Sequence, residues 1–220
     1  MKSQLSFIAL FVLLCCSIVQ SVVYLEMTPY ADDNCTKENG ISGVGYAFIA
    51  NQCFGVGDTA PGAKNFFVTI GGNNENATIT TYKNYDPTCQ DAIPDAYITY
   101  ENGGCYRAPT YANQYYYVVN NFVRVTIVEN PQAIPLYGRR FTTFGDSQCS
   151  SNPQWYYFYT NGTTFTNGQE TSTFYCTENN SFLDVCNKGD PSSCQTYIQN
   201  QECYRDVWNL HEHNYFLSSC

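Results

Sequence analysis

The chain has 220 residues, with 10 basic and 19 acidic side chains and a formal net charge of −9. This length is enough for one large domain or two small domains with a packed core. The acidic balance argues against nucleic acid and anionic membrane surfaces as partners, because binding to either needs a basic patch.

The N-terminal segment has the composition of a cleavable signal peptide. Lys2 precedes an apolar run from Leu5 to Val19 that is too short for a permanent membrane span. Val19 and Ser21 are small enough for the signal-peptidase sites, so residues 1–21 are predicted to be removed after Ser21. The mature chain is then secreted, into the extracellular space or an endosomal or vesicle lumen. No later run is apolar over the ~18 residues that a membrane helix needs.

Short runs rich in aromatic and β-branched residues follow, bounded by Gly and Asn turn signals, and they predict strands. The predicted strands are Phe66–Ile70, Ala77–Tyr82, Ala96–Tyr100, Tyr115–Val119, Phe122–Val128, Trp155–Thr160 and Thr171–Tyr175. In the run Phe122–Val128, alternation places Val123, Val125 and Ile127 on the inward face.

A helical pattern is nearly absent. The best one follows Arg205, where Val207, Leu210, Asn214 and Leu217 are loosely spaced. The sequence therefore predicts an all-β fold, either a disulfide-stapled sandwich or two small packed β units.

Two short patterns recur along the chain and indicate an internal repeat. The first places an aspartate three residues before a cysteine, at Asp32–Cys35, Asp86–Cys89 and Asp146–Cys149, with a looser copy at Asp184–Cys186. The second is a cysteine followed by an aromatic residue, at Cys53, Cys105 and Cys203. Duplication of a unit of about 55 residues explains both patterns, and similar composition of aromatic strands is the alternative explanation.

Ten of the twelve cysteines lie after the predicted leader, and an oxidising route favours disulfides among them. They are Cys35, Cys53, Cys89, Cys105, Cys149, Cys176, Cys186, Cys194, Cys203 and Cys220. We predict an N-terminal β unit over 22–110 with four of them and a C-terminal β unit over 111–220 with six.

The repeat also predicts a pairing, since equivalent cysteines should bond equivalently. It links Cys35 to Cys53 and Cys89 to Cys105. In the second half, Cys203 is expected to bond to Cys186 or Cys194, and Cys220 ties down the chain end. Zinc is a weaker reading of these cysteines, because the chain has no Cys-x-x-Cys step.

Catalytic motifs are missing from the sequence, and no cofactor is predicted. His211 and His213 are weak metal-ligand candidates, since a strand would present both imidazoles on one face; a solvated pair is the simpler reading. A secreted hydrolase would need paired carboxylates. The candidates for it are Asp86, Asp95, Glu101, Asp146 and Glu170. The repeated aspartates Asp32, Asp86 and Asp146 are better explained as turn formers whose carboxylates accept bonds from nearby amides.

Binding is the other class of function that the composition favours. Trp155, Tyr157 and Tyr159 share one face of a predicted strand and could stack on sugar rings, unless both faces are buried in a sandwich. Four sequons predict glycosylation at Asn34, Asn76, Asn161 and Asn179, of which Asn34 is doubtful because it adjoins Cys35.

The leader, the length, the Asn/Thr/Tyr-rich composition and the Asp-x-x-Cys and Cys-Tyr-Arg steps resemble the small cysteine-rich secreted proteins of social amoebae. The resemblance implies secretion and no established enzymatic activity. The sequence as a whole predicts a secreted, disulfide-rich glycoprotein that acts by binding or assembly, with glycans, other secreted proteins or copies of itself as partners. A lectin-like module is the second hypothesis and a hydrolase the third.

Overall fold

The computed structural model describes residues 21–36, 40–56, 64–83, 86–111, 121–131, 137–205 and 214–220. Within these ranges the chain is all-β, as predicted, and every strand pair is antiparallel. The strands are β1 Tyr24–Tyr30, β2 Val44–Ile49, β3 Cys53–Val56, β4 Lys64–Ile70, β5 Asn76–Tyr82, β6 Ala92–Glu101, β7 Cys105–Arg107, β8 Phe122–Val128, β9 Tyr137–Phe144, β10 Trp155–Thr160, β11 Thr163–Asn167, β12 Glu170–Thr177, β13 Asn180–Asn187, β14 Asp190–Ile198, β15 Gln201–Arg205 and β16 Tyr215–Ser219.

These strands form one large sheet and two small ones. The central sheet has eight strands in the order β15-β16-β9-β10-β2-β1-β8-β7, and the small sheets run β3-β4-β5-β6 and β11-β12-β13-β14. Residues on one face of the central sheet form a continuous apolar core with the inward faces of both small sheets. The architecture is therefore a set of packed sheets, stapled by disulfides.

Six of the seven predicted strands correspond to strands of the structure. Phe122–Val128 and Trp155–Thr160 coincide with β8 and β10, and the others fall within β4, β5, β6 and β12. Val123 and Val125 are fully buried and Ile127 packs against the core, which confirms the predicted inward face of β8. Tyr115–Val119 lies outside the described residues. The weak helical pattern after Arg205 does not predict the structure at its C-terminal end, since Leu217 lies in strand β16.

The structure contains an internal duplication with a longer period than the sequence predicted. In β1–β8 and in β9–β16 alike, the first two strands join the central sheet, the next four form a small sheet, and the last two return to the central sheet. Strands β2 and β10 meet at the centre, where Tyr46 lies opposite Tyr157, and equivalent strands extend to either side. The central sheet thus has an approximate two-fold axis between β2 and β10.

The predicted period of about 55 residues was wrong because the Asp-x-x-Cys turn occurs at two different places within one unit. Asp32–Cys35 and Asp146–Cys149 follow the first strand of each unit, whereas Asp86–Cys89 lies between β5 and β6. The looser copy Asp184–Cys186 is not a turn, since both residues lie inside β13.

Five disulfides pair all ten cysteines, and the predicted connectivity is wrong. The bonds are Cys35–Cys105, Cys53–Cys89, Cys149–Cys203, Cys176–Cys220 and Cys186–Cys194. Each Asp-x-x-Cys cysteine does bond to a cysteine that precedes an aromatic residue, but Cys35 and Cys89 exchange the partners expected of them. The exchange follows from the topology, because the first and seventh strands of a unit lie in the central sheet while β3 and β6 lie in a small sheet.

Two of these bonds are equivalent under the duplication. Cys35–Cys105 and Cys149–Cys203 each join the turn after the first strand of a unit to its seventh strand. All five bonds close within 22–110 or within 111–220, whereas the central sheet contains strands from both ranges. The division into two β units stays a prediction.

The three Asp-x-x-Cys turns have the same local geometry. Each cysteine N–H donates to the carbonyl of the aspartate, at 3.2, 3.3 and 3.2 Å, and each cysteine has a left-handed backbone with φ between 49° and 55°. The carboxylates of Asp32, Asp86 and Asp146 accept from the backbone N–H two residues later. Their role is to hold the turn that presents the cysteine.

Candidate functional site

The predicted stacking residues are not available to a ligand. Trp155, Tyr157 and Tyr159 are each 1% exposed and belong to the main core. Trp155 Nε1 donates to the Gly55 carbonyl at 3.0 Å, and its ring stacks on Phe48 with centroids 6.1 Å apart. The prediction that these rings stack on sugars is therefore wrong, because the small sheets cover the face of β10 on which the rings lie.

The candidate catalytic carboxylates are distributed over separate elements. Asp86 and Asp146 occupy different Asp-x-x-Cys turns, where their oxygens accept several hydrogen bonds. Burial alone would raise the pKa of Asp86, but bonds from the Asp91 backbone and the Thr88 hydroxyl lower it. The pKa of Asp146 is lowered chiefly by bonds from the Ser151 side chain and backbone. Both carboxylates therefore favour the ionised form, which suits a structural acceptor and not a general acid.

Glu101 lines a shallow depression of about 460 Å³ together with Asn74, Glu75, Asn76 and Asn102. Glu75 and Glu101 are both exposed, so they lack the contrasting environments that separate an acid from a nucleophile in glycosidases. Glu170 begins β12 in the other small sheet, and the side chain of Asp95 lies outside the described residues. The hydrolase hypothesis gains no assembled site from these residues.

Three other predictions concern a metal site, the signal peptide and glycosylation. His211, His213 and the leader residues 1–20 lie outside the described ranges. Within the ranges that are described, no three His, Cys, Asp or Glu side chains group as metal ligands. Asn34, Asn161 and Asn179 are exposed and Asn76 is half-buried, so their glycosylation stays a prediction.

An exposed face that the sequence did not single out has the features of a binding surface. It is the outward face of β12, β13 and β14, opposite the core. Tyr175, Phe182 and Ile198 are direct neighbours in one row across the three strands. The rings of Tyr175 and Phe182 stack with centroids 5.4 Å apart, and Ile198 is 69% exposed. We call these three residues the apolar row.

A polar row runs beside the apolar row on the same face. Thr173, Asp184 and Thr196 are direct cross-strand neighbours. The Asp184 carboxylate accepts from the Thr196 hydroxyl at 2.5 Å and from the Tyr175 hydroxyl at 3.3 Å. The Asp184 side chain thus fixes Tyr175 from one row and Thr196 from the other, which gives the surface an ordered acceptor beside an apolar contact.

Alternation along β12 is the sequence signal that could have found this surface. Ser172 and Phe174 are buried, so Thr171, Thr173 and Tyr175 must face outward. The strand β13 was not predicted, and without it neither the row nor its register with β14 could be assigned.

One comparison with known proteins gives a match. The chain matches the model of the family described as Counting factor-associated protein A/B/C over residues 1–216. The chain belongs to this family. No curated protein and no solved structure matches it significantly. The family is a secreted one of Dictyostelium, which agrees with the resemblance to secreted proteins of social amoebae.

Family membership and the disulfide-rich β fold both fit a secreted, extracellular protein. In the part of the chain that the structure describes, no helix is long and apolar enough to cross a membrane.

Proposed function

We propose that this family member acts outside the cell by binding another macromolecule through the outward face of β12–β14. The observation that carries the proposal is the apolar row, in which one strongly exposed aliphatic side chain extends a stacked aromatic pair. Aromatic side chains supply large contact areas at low entropic cost, and they are enriched in protein interfaces.

The family description favours one partner. Since the family is named for association with counting factor, we propose that counting factor is what the apolar row contacts. The ordered Asp184 carboxylate beside the row would accept hydrogen bonds from that partner and fix its orientation.

Surface plasmon resonance with purified counting factor tests the proposal. Tyr175→Ala removes one of the two stacked rings and is expected to weaken binding by about tenfold or more. Tyr97→Ala is the matched control, because Tyr97 is a 67% exposed tyrosine on the outward face of the other small sheet. Equal loss in both variants, or no loss in Tyr175→Ala, contradicts the proposal.

A carbohydrate ligand is the second candidate, and the same stacked pair favours it. A sugar ring could lie against Tyr175 and Phe182 while a hydroxyl donates to Asp184. A glycan array with wild-type protein, Tyr175→Ala and Tyr97→Ala separates the candidates. Glycan binding that Tyr175→Ala abolishes, without counting-factor binding, assigns the surface to sugar.

A further inference from the structure

We infer that two copies of this chain pair edge to edge through β14, so that the β11–β14 sheets of both copies become one continuous sheet. Strand β14 is the last strand of its sheet, and no described strand pairs with its outer side. Eight of its nine residues are exposed. An open edge of this length is a template for another strand, and natural proteins usually block such edges.

The other edge strands are short or blocked. Strands β3, β7, β11 and β15 have four, three, five and five residues. Strand β6 is longer, but Pro94 lacks a backbone N–H, and the exposed Glu101 adds a charge to that edge. In β14 the blocking residues Asp190 and Pro191 stand only at the beginning. The stretch from Ser192 to Ile198 therefore has neither proline nor charge.

The register between β13 and β14 identifies which backbone N–H and C=O groups of this stretch point away from the sheet. Gln199 N–H donates to the Ser181 carbonyl, and Leu183 lies opposite Tyr197. In an antiparallel ladder the direction alternates, so Gln195 and Tyr197 bond toward β13 while Thr196 and Ile198 direct their N–H and C=O groups away from the sheet. These outward groups are the ones that a second strand would pair.

A second copy is the occupant that the charges favour. The chain carries a net charge of −9, so two copies repel each other wherever acidic residues meet. The stretch Ser192–Ile198 is uncharged, and an antiparallel edge is complementary to its own two-fold copy. Pairing would also continue the apolar row of one copy toward that of the other and cover Ile198, which is 69% exposed in the single chain.

Sedimentation velocity over a range of protein concentrations tests the inference, together with hydrogen exchange read by mass spectrometry. We expect a concentration-dependent dimer in which the amides of Thr196 and Ile198 become protected. Thr196→Pro removes an outward N–H without removing a bond to β13, and Ile198→Lys adds a charge to the edge. Each change is expected to raise the dimer dissociation constant about tenfold or more.

Thr166→Lys is the control, since Thr166 is exposed on β11, the opposite edge of the same sheet. It should leave the dimer unchanged, and circular dichroism checks that every variant is folded. If Thr196→Pro does not fold, Ile198→Lys alone decides. A wild-type chain that stays monomeric at about 100 µM, within the weak end of specific affinities, overturns the inference, as does a dimer that Ile198→Lys leaves intact. These measurements use neither counting factor nor a glycan, so their outcome is independent of the proposed function.

Discussion

Removal of the Cys35–Cys105 bond should destabilise the protein more than removal of any other disulfide. This bond spans 70 residues, and the chain-entropy relation gives a stabilisation of about 4.4 kcal/mol for a loop of that length. Cys186–Cys194 spans 8 residues, for which the same relation gives about 2.5 kcal/mol. The double variant Cys35→Ala/Cys105→Ala should therefore lose about 2 kcal/mol more than Cys186→Ala/Cys194→Ala.

Urea unfolding without reductant, followed by tyrosine and tryptophan fluorescence, measures both losses. With a slope of about 2 kcal/mol per molar urea, the longer bond corresponds to a shift of about 2 M in the midpoint. An equal or larger loss from the short bond would refute the loop-length reasoning.

Peptide mapping of the unreduced protein tests the connectivity itself. Lys37, Lys64 and Asp91 lie between successive members of Cys35, Cys53, Cys89 and Cys105, so trypsin and an Asp-specific protease separate all four. Linked peptides should contain Cys35 with Cys105 and Cys53 with Cys89. A peptide linking Cys35 to Cys53 would restore the pairing predicted from the repeat and contradict the equivalence of Cys35–Cys105 and Cys149–Cys203.

Three further predictions concern the core, a close backbone contact and acid stability. Trp155→Ala should cost about 3–5 kcal/mol in urea unfolding, because the ring is 1% exposed, and a loss below about 1 kcal/mol would contradict its place in the core. Gly138→Ala should cost about 1–3 kcal/mol, since a Cβ there would lie 2.7 Å from the Phe174 carbonyl oxygen, whereas Gly72→Ala meets nothing within 4 Å and serves as its control. Asp146→Asn should destabilise the protein at neutral pH, because hydrogen bonds from Ser151 lower the pKa of Asp146 in the folded state. That contribution is complete above the unfolded pKa of about 3.9 and is lost as pH falls toward the lower folded pKa, so the gap in urea midpoint between wild type and variant should close below about pH 4. A gap that is constant from pH 7 to pH 2 would contradict this assignment.

The sequence by itself determined the fold class and six of the strands, β4, β5, β6, β8, β10 and β12. Alternation in Phe122–Val128 identified the buried face of β8, because the side chains of a strand point to opposite faces with a period of two. The Asp-x-x-Cys step identified three turns, since an aspartate can bond amides two residues away without help from the rest of the fold. Local chemistry is enough for such features.

Only the tertiary structure decided which strands are neighbours. The predicted strands Trp155–Thr160 and Thr171–Tyr175 both contain aromatic residues, yet the small sheets cover Trp155, whereas Tyr175 faces outward. The disulfide partners of Cys35 and Cys89 follow from the same topology, because the chain leaves the central sheet after β2 and returns to it at β7. Burial and pairing are properties of sheets assembled from distant segments, and no local pattern records which segment will cover which face.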